Sequence, residues 1–215
     1  MKINTSPLSI ARRGFMFVLS SPSGVGKTTI AHKILSLEAN IKLSISVTTR
    51  PKRPLEKEGE DYYFVSQKHF QQLVKEGQLL EYAQVYGHLY GTPKASIEAQ
   101  LSTGMDILFD IDWQGTQQLK QVATSDLVSI FLLPPTFKAL EERLCKRATD
   151  DAEIVQMRMA KAADELSHWA EYDYVIVNND LEETIQTVQS ILHAERLKRR
   201  RQSGLAKFVN NLRGE

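Results

Sequence analysis

The apolar run Phe15-Met16-Phe17-Val18-Leu19, followed by Ser21-Pro22-Ser23-Gly24-Val25-Gly26-Lys27-Thr28, constrains this chain more than any other segment. Five consecutive apolar residues suit a strand covered on both faces, as at the centre of a parallel sheet. A helical pattern comes next, with Ile30, Ile34, Leu35 and Leu37 on roughly one face. Between the two, Gly24 and Gly26 let the backbone turn so that successive N–H groups point at one anion. Lys27 adds a mobile positive charge for outer phosphates, and the Thr28 hydroxyl is an oxygen ligand of the kind Mg²⁺ takes. The first N–H groups and the dipole of the helix face the same point. Ser21 stands where the general pattern has its first glycine, which a side chain tolerates if φ stays negative. The segment implies a bound nucleotide polyphosphate.

The 215 residues, 42% of them hydrophobic, suit one domain with insertions. Cys145 is the only cysteine, so no intramolecular disulfide can form. Met1 to Arg13 lacks an apolar stretch of signal-peptide length and no run approaches a membrane span, so the expected compartment is the cytoplasm. Net charge is +1, but Glu195 to Glu215 carries seven Lys/Arg against two Glu, while the first 194 residues carry 20 against 24. A mildly acidic body holds phosphate with a few placed cations and argues against a nucleic-acid groove. The basic run Arg196 to Arg201 reads as a solvated helix end. After Gly204, Leu205, Phe208, Val209 and Leu212 recur at helical spacing, as in a short amphipathic helix that packs on another subunit or on its own core.

Strand and helix patterns alternate along the chain. Leu43 to Thr49 reads as a strand ended by Arg50-Pro51, Ser66 as the cap of a helix that Gly77 terminates, and Leu79 to Tyr86 as a strand. Thr92-Pro93 reads as the start of a helix that runs to Gly104. Ile107–Asp112, Ser129–Leu133 and Tyr174–Val177 are further strands, with helices near Gln114–Gln121, Phe137–Arg147 and Glu153–Tyr172. The expected fold is α/β, a parallel sheet flanked by helices, with inserted subdomains at about 45–100 and 139–168.

Three constellations carry chemistry beyond the loop. Asp110 and Asp112 lie at the carboxyl end of a buried strand, where ligands of open parallel sheets sit, and can orient Mg²⁺ or hold a basic side chain. Arg143 and Arg147 are one helical turn apart, a repulsive spacing unless an anion lies between them, and Arg158 follows in the next helix; a lid closing over a phosphoryl group fits all three. In the 45–100 segment, Arg50, Arg53, Tyr62 and Tyr90 suit a monophosphate, and Glu81 suits a base edge with two adjacent donors. Thr92 can cap its helix, bind the ligand, or both. The five histidines show no ligand or catalytic spacing.

The blocks SPSGVGKTT, SISVTTRPKRPLEKEGEDYYFV, LLEYAQVYGHLYGTP, ILFDIDWQGTQQ and EYDYVIVNND, in this order between Gly14 and Ala194, resemble the guanylate kinases. The resemblance implies a phosphate-loop kinase core at about 14–44, 101–138 and 169–194, a GMP-binding subdomain at 45–100, a lid at 139–168, and a basic helical tail at 195–215. It implies transfer of the γ-phosphoryl group of ATP to GMP, with Mg²⁺ arriving with ATP. By residue matching, Ser21 to Thr28, Arg143, Arg147 and Asn178 bind ATP, Asn178 near the adenine. Lys27, Arg143, Arg147 and Arg158 are the catalytic cations. Ser46, Glu81 and Thr92 take the guanine, and Arg50, Arg53, Tyr62 and Tyr90 its phosphate, with Asp110 and Asp112 alongside. The family often has glycines around the lid arginines, where this chain reads Cys145-Lys146-Arg147-Ala148-Thr149, a departure that bears on lid flexibility. Two other readings share the fold: a scaffold that binds proteins without catalysis, and a kinase for another small phosphorylated acceptor.

Overall fold

Every residue of the strand Met16–Ser20 is buried, so layers must cover both of its faces. The structure is a computed structural model that describes residues 10–85, 87–147 and 152–214, without the side chains of 85, 146, 147 and 152–158. In chain order the elements are β1 (Met16–Ser20), α1 (Lys27–Leu37), β2 (Ile41–Leu43), β3 (Val47–Thr48), β4 (Tyr63–Phe64), α2 (Gln67–Lys75), β5 (Leu79–Val85), β6 (His88–Pro93) and α3 (Lys94–Ser102). There follow β7 (Asp106–Asp110), α4 (Trp113–Ala123), β8 (Leu127–Leu133), α5 (Phe137–Arg147), α6 (Ala152–Ser167), β9 (Tyr174–Val177), α7 (Leu181–Leu197) and α8 (Leu205–Arg213). A parallel sheet in the order β2-β7-β1-β8-β9 places β1 at its centre, and a second sheet runs β4-β3-β6-β5. Alternate residues near β1 feed opposite layers. Phe15, Phe17 and Leu19 pack with Ile30, Ile34, Ile185 and Leu192, whereas Met16 and Val18 pack with Ile97, Leu101, Phe109 and Leu119.

Several elements differ from the sequence expectation. The β-branched run from Leu43 to Thr49 is not one strand: β2 belongs to the parallel sheet and β3 to the second sheet, with Ser44–Ser46 crossing between them. The crossing remains hydrogen-bonded, since the Ser44 N–H donates to the Leu108 carbonyl and the Ser46 carbonyl accepts from the Tyr63 N–H. The strand expected to reach Asp112 stops at Asp110, because the Asp112 side chain has turned to accept from the Gly115 N–H and cap α4. Thr92 does not cap α3: its hydroxyl donates to Glu81, and Pro93 is the cap residue. The helix expected to reach Tyr172 ends at Ser167 and gives way to a 3₁₀ turn. Ser66 caps α2 as expected, and Gly77 after it has φ 63°.

The basic run at 196–201 is only partly a solvated helix end: Lys198, Arg199 and Arg200 are exposed, whereas Arg196 and Arg201 turn inward. Arg196 bonds Asp106 and Glu38, each at 2.8 Å, and Arg12 bonds the same buried Asp106. Arg201 is only 2% exposed; it pairs with buried Glu195 at 3.2 Å and lies 4.3 Å from the centre of the Phe15 ring. Its Nε and Nη1 have no hydrogen-bond partner among the described residues. Residues 11–13 run beside 201–204, joined by Arg13 N–H to Arg201 and Gly204 N–H to Ala11. The partners of Arg196, Glu38 and Asp106, are distant in sequence, and a local charge count that includes Glu195 does not show that it is buried with Arg201. Removing one partner of a buried pair strands the other. Arg201→Ala should therefore lower the unfolding free energy by about 3 kcal/mol, read from urea denaturation, with much of the loss recovered in Glu195→Gln, Arg201→Met. A loss below about 1 kcal/mol would place the tail outside the cooperative unit.

Candidate active site

β1 ends at the middle of the sheet and delivers the glycine-bearing loop to its carboxyl edge. Gly24 and Gly26 have φ 91° and 107°, where other residues are strained, and a Cβ on Gly24 would meet Leu144 of α5 at 3.0 Å. Asn40 is the one described non-glycine residue with positive φ, so Ser21 meets the condition set by its missing glycine. The Val25 side chain is buried, and its carbonyl accepts from Asn178 Nδ2 at 2.7 Å and from Arg143 Nη1 at 3.2 Å. Asn178 is itself fixed, its Oδ1 accepting from the Thr184 hydroxyl. Lys27 Nζ lies 2.7 Å from Asp110 Oδ1 and 3.0 Å from the Ile111 carbonyl, while the Thr28 hydroxyl donates to Asp110 Oδ2 at 3.2 Å. These groups border a cavity of about 250 Å³ whose wall also includes Ser21, Pro22, Ser23, Asp112 and Glu165. A smaller cavity of about 190 Å³ lies beside Val25, lined by Arg143, Asn178 and Leu181 among others.

The second sheet brings the other expected residues together. Glu81 on β5 is buried, and Thr92 Oγ1 donates to its Oε1 at 2.7 Å. Its Oε2 faces Gly115 of α4 so closely that a Cβ there would come within 3.1 Å. Burial pushes the Glu81 carboxyl up to about 7; the Thr92 hydrogen bond opposes the shift and the Asp112 charge adds to it. Tyr62 and Tyr90 meet ring to ring at 5.9 Å, and the Arg50 guanidinium lies 5.3 Å from the Tyr62 ring centre. Arg53 is exposed and Ser46 half-buried.

Some site residues were not visible in the sequence. Glu56 accepts from Arg50 Nη2 at 2.5 Å and from the Arg53 N–H at 2.8 Å, joining the two arginines. Gln118 of α4 exchanges two hydrogen bonds with the Tyr82 backbone, 3.0 and 2.8 Å, and so ties β5 to the core one residue beyond Glu81. Glu165 of α6 accepts from the Ser23 N–H in the loop. Of the three arginines expected in a lid, Arg143 reaches the loop; Arg147 ends α5 and Arg158 lies in α6, but both side chains fall outside the described residues.

A parallel sheet with a phosphate loop at the end of its central strand, facing a second sheet with a buried carboxylate, defines a phosphate-loop kinase of small phosphorylated substrates. Residues 13–195 match the family model for guanylate kinase. The guanylate kinase of Rhodospirillum rubrum is 55% identical over 211 residues, covering 98% of this chain and 97% of that protein. That of Bradyrhizobium diazoefficiens is 53% identical over 206 residues, covering 96% and 94%. The crystal structure of guanylate kinase from Anaplasma phagocytophilum superposes with a TM-score of 0.75 at 41% identity, covering 94% of this chain and 96% of that one. The chain belongs to the guanylate kinase family.

Burial of Glu81 has a consequence for stability. Its carboxyl titrates at about 7 in the folded protein against an ordinary 4.5, so the folded state holds an extra proton between these values. The associated stability is full below that window and lost as pH rises through about 7. Glu81→Gln has no such proton. The melting temperature of the variant minus that of wild type should therefore increase from about pH 5 to about pH 8; a constant difference would mean that Glu81 is not raised.

Proposed function

We propose that this chain transfers the γ-phosphoryl group of ATP to GMP, yielding ADP and GDP, with the polyphosphate of ATP in the Ser21–Thr28 loop and GMP on the 45–100 subdomain. The observation that carries the assignment is Glu81: a buried carboxylate with Thr92 on one oxygen and the side-chain-free Gly115 beside the other. Guanine presents N1–H and its 2-amino group side by side, and one carboxylate accepts both. Adenine turns a lone pair at N1 toward the same group. Arg50, Arg53, Tyr62 and Tyr90 then hold the GMP phosphate, with Ser46 alongside the base and Asp110 and Asp112 between the two substrates.

The phosphate of GMP is already an anion and needs no strong base. The residues have to align donor and acceptor and offset charge. Lys27 does so at the outer phosphates, and Arg143, Arg147 and Arg158 form the lid clamp over the transferring group. Asn178, near the adenine in this reading, borders the small cavity beside Val25. Mg²⁺ fits the oxygen donors present, since the Thr28 hydroxyl and the Asp110 carboxylate lie together. When bound with ATP, the ion would offset phosphate charge. Among the described residues no group of three or more His, Cys, Asp or Glu could hold a metal ion. No described helix is long and apolar enough to cross a membrane. The working compartment is the cytoplasm, and the partners are ATP and GMP rather than nucleic acid or membrane. Val209 and Leu212 of α8 are exposed and support self-association through the tail, whereas Glu195 and Arg201 are buried against their own core.

A coupled assay with GMP, IMP and AMP tests both halves of the site. GMP should have the highest kcat/KM, IMP, which keeps N1–H alone, should fall between, and AMP should be lower than GMP by roughly 10⁴-fold. Lys27→Ala should lower kcat on the order of 10²-fold or more with little change in GMP affinity. Comparable use of AMP, or near-normal turnover by the variant, would contradict the assignment.

A further inference from the structure

Glu165 is a charged group in the donor cavity that the transfer reaction does not call for. It lies near the end of α6, is 7% exposed, and its Oε2 accepts from the Ser23 N–H at 3.3 Å. The other oxygen is 3.7 Å from Lys161 Nζ. The Lys161 contact is long for a charged pair, which ordinarily closes to about 2.7–2.9 Å, and the Ser23 bond is long for an N–H donating to a carboxylate. Burial pushes the carboxyl up, with the Lys161 charge and the Ser23 N–H opposing it. The group is thus an anion taken out of water without full compensation. It sits on a backbone donor of the loop that offers its N–H groups to phosphate.

We propose that Glu165 is a placeholder anion: it occupies the Ser23 N–H while the loop is empty and yields it when the polyphosphate of the donor enters. The two anions compete for one donor group, and like charges cannot share the cavity without cost. Donor affinity is therefore set by a difference between two anions rather than by the loop alone. The displaced carboxylate belongs to α6, the helix that also carries Arg158. Filling the loop releases a tie between that helix and the core. The inference rests on the reading that ATP phosphates lie in the Ser21–Thr28 loop.

Titration calorimetry on the full chain, without GMP, separates the two claims. ATP and inorganic pyrophosphate would be titrated into wild type, Glu165→Gln and Lys27→Ala. Replacing the charged acceptor by a neutral one weakens the competitor, so Glu165→Gln should bind both probes on the order of tenfold more tightly, with GMP affinity unchanged. Glu165→Asp, one methylene short of Ser23, should also bind ATP more tightly, and it serves if the glutamine variant does not fold. Unchanged or weaker ATP binding in the Glu165 variants, with Lys27→Ala weakened, would overturn the placeholder and leave the donor site standing. Equal ATP affinity in all the proteins would overturn both.

Discussion

The carbonyl of Val25 is the point on which the proposed donor site depends. A loop can turn N–H groups toward an anion only if its carbonyl groups point away and find partners elsewhere. Val25 supplies the clearest case, accepting from Asn178 after β9 and from Arg143 on α5. Asn178 is held by Thr184 at the start of α7, and Gly26 allows the close approach of its amide, which a Cβ would meet at 3.2 Å. Segments more than a hundred residues apart thus fix one peptide group. Lys27 is fixed in the same way, by Asp110 and the Ile111 carbonyl at the end of the neighbouring strand.

Helix α4 links this site to the other. Its cap, Asp112, borders the phosphate-loop cavity; one turn on, Gly115 gives room to Glu81; and Gln118 grips the Tyr82 backbone. One rigid element therefore spans from the phosphate loop to the carboxylate assigned to the base. Such spacing is what phosphoryl transfer requires, since the protein contributes mainly alignment and charge.

The parts of this arrangement legible in the sequence are those with local causes. The apolar run of β1, the glycines and Lys27 announce strand, turn and phosphate site together, and the helix Phe137–Arg147 follows from periodicity. The division of Leu43 to Thr49 between two sheets was not legible, because β-branched residues favour strands without saying which sheet they join. Thr92 reads as a helix cap until Glu81, eleven residues earlier, is seen to take its hydroxyl. The buried role of Arg196 was not legible because its carboxylates, Glu38 and Asp106, come from remote segments. Gln118 and Glu165 were missed for the same reason, each acting through a backbone group that only the fold brings near, whereas Glu56 has local partners but reads as one more charge in a charged loop.

The claim that remote side chains hold the loop in its anion-binding shape is tested most directly at Asn178. Asn178→Ala removes a buried donor to the Val25 carbonyl while leaving every group of the second sheet in place. Steady-state kinetics with ATP varied should show kcat/KM lower by about tenfold, the scale of one buried hydrogen bond, while GMP affinity measured by titration stays at the wild-type value. Wild-type kcat/KM for ATP in a folded Asn178→Ala protein would contradict the account.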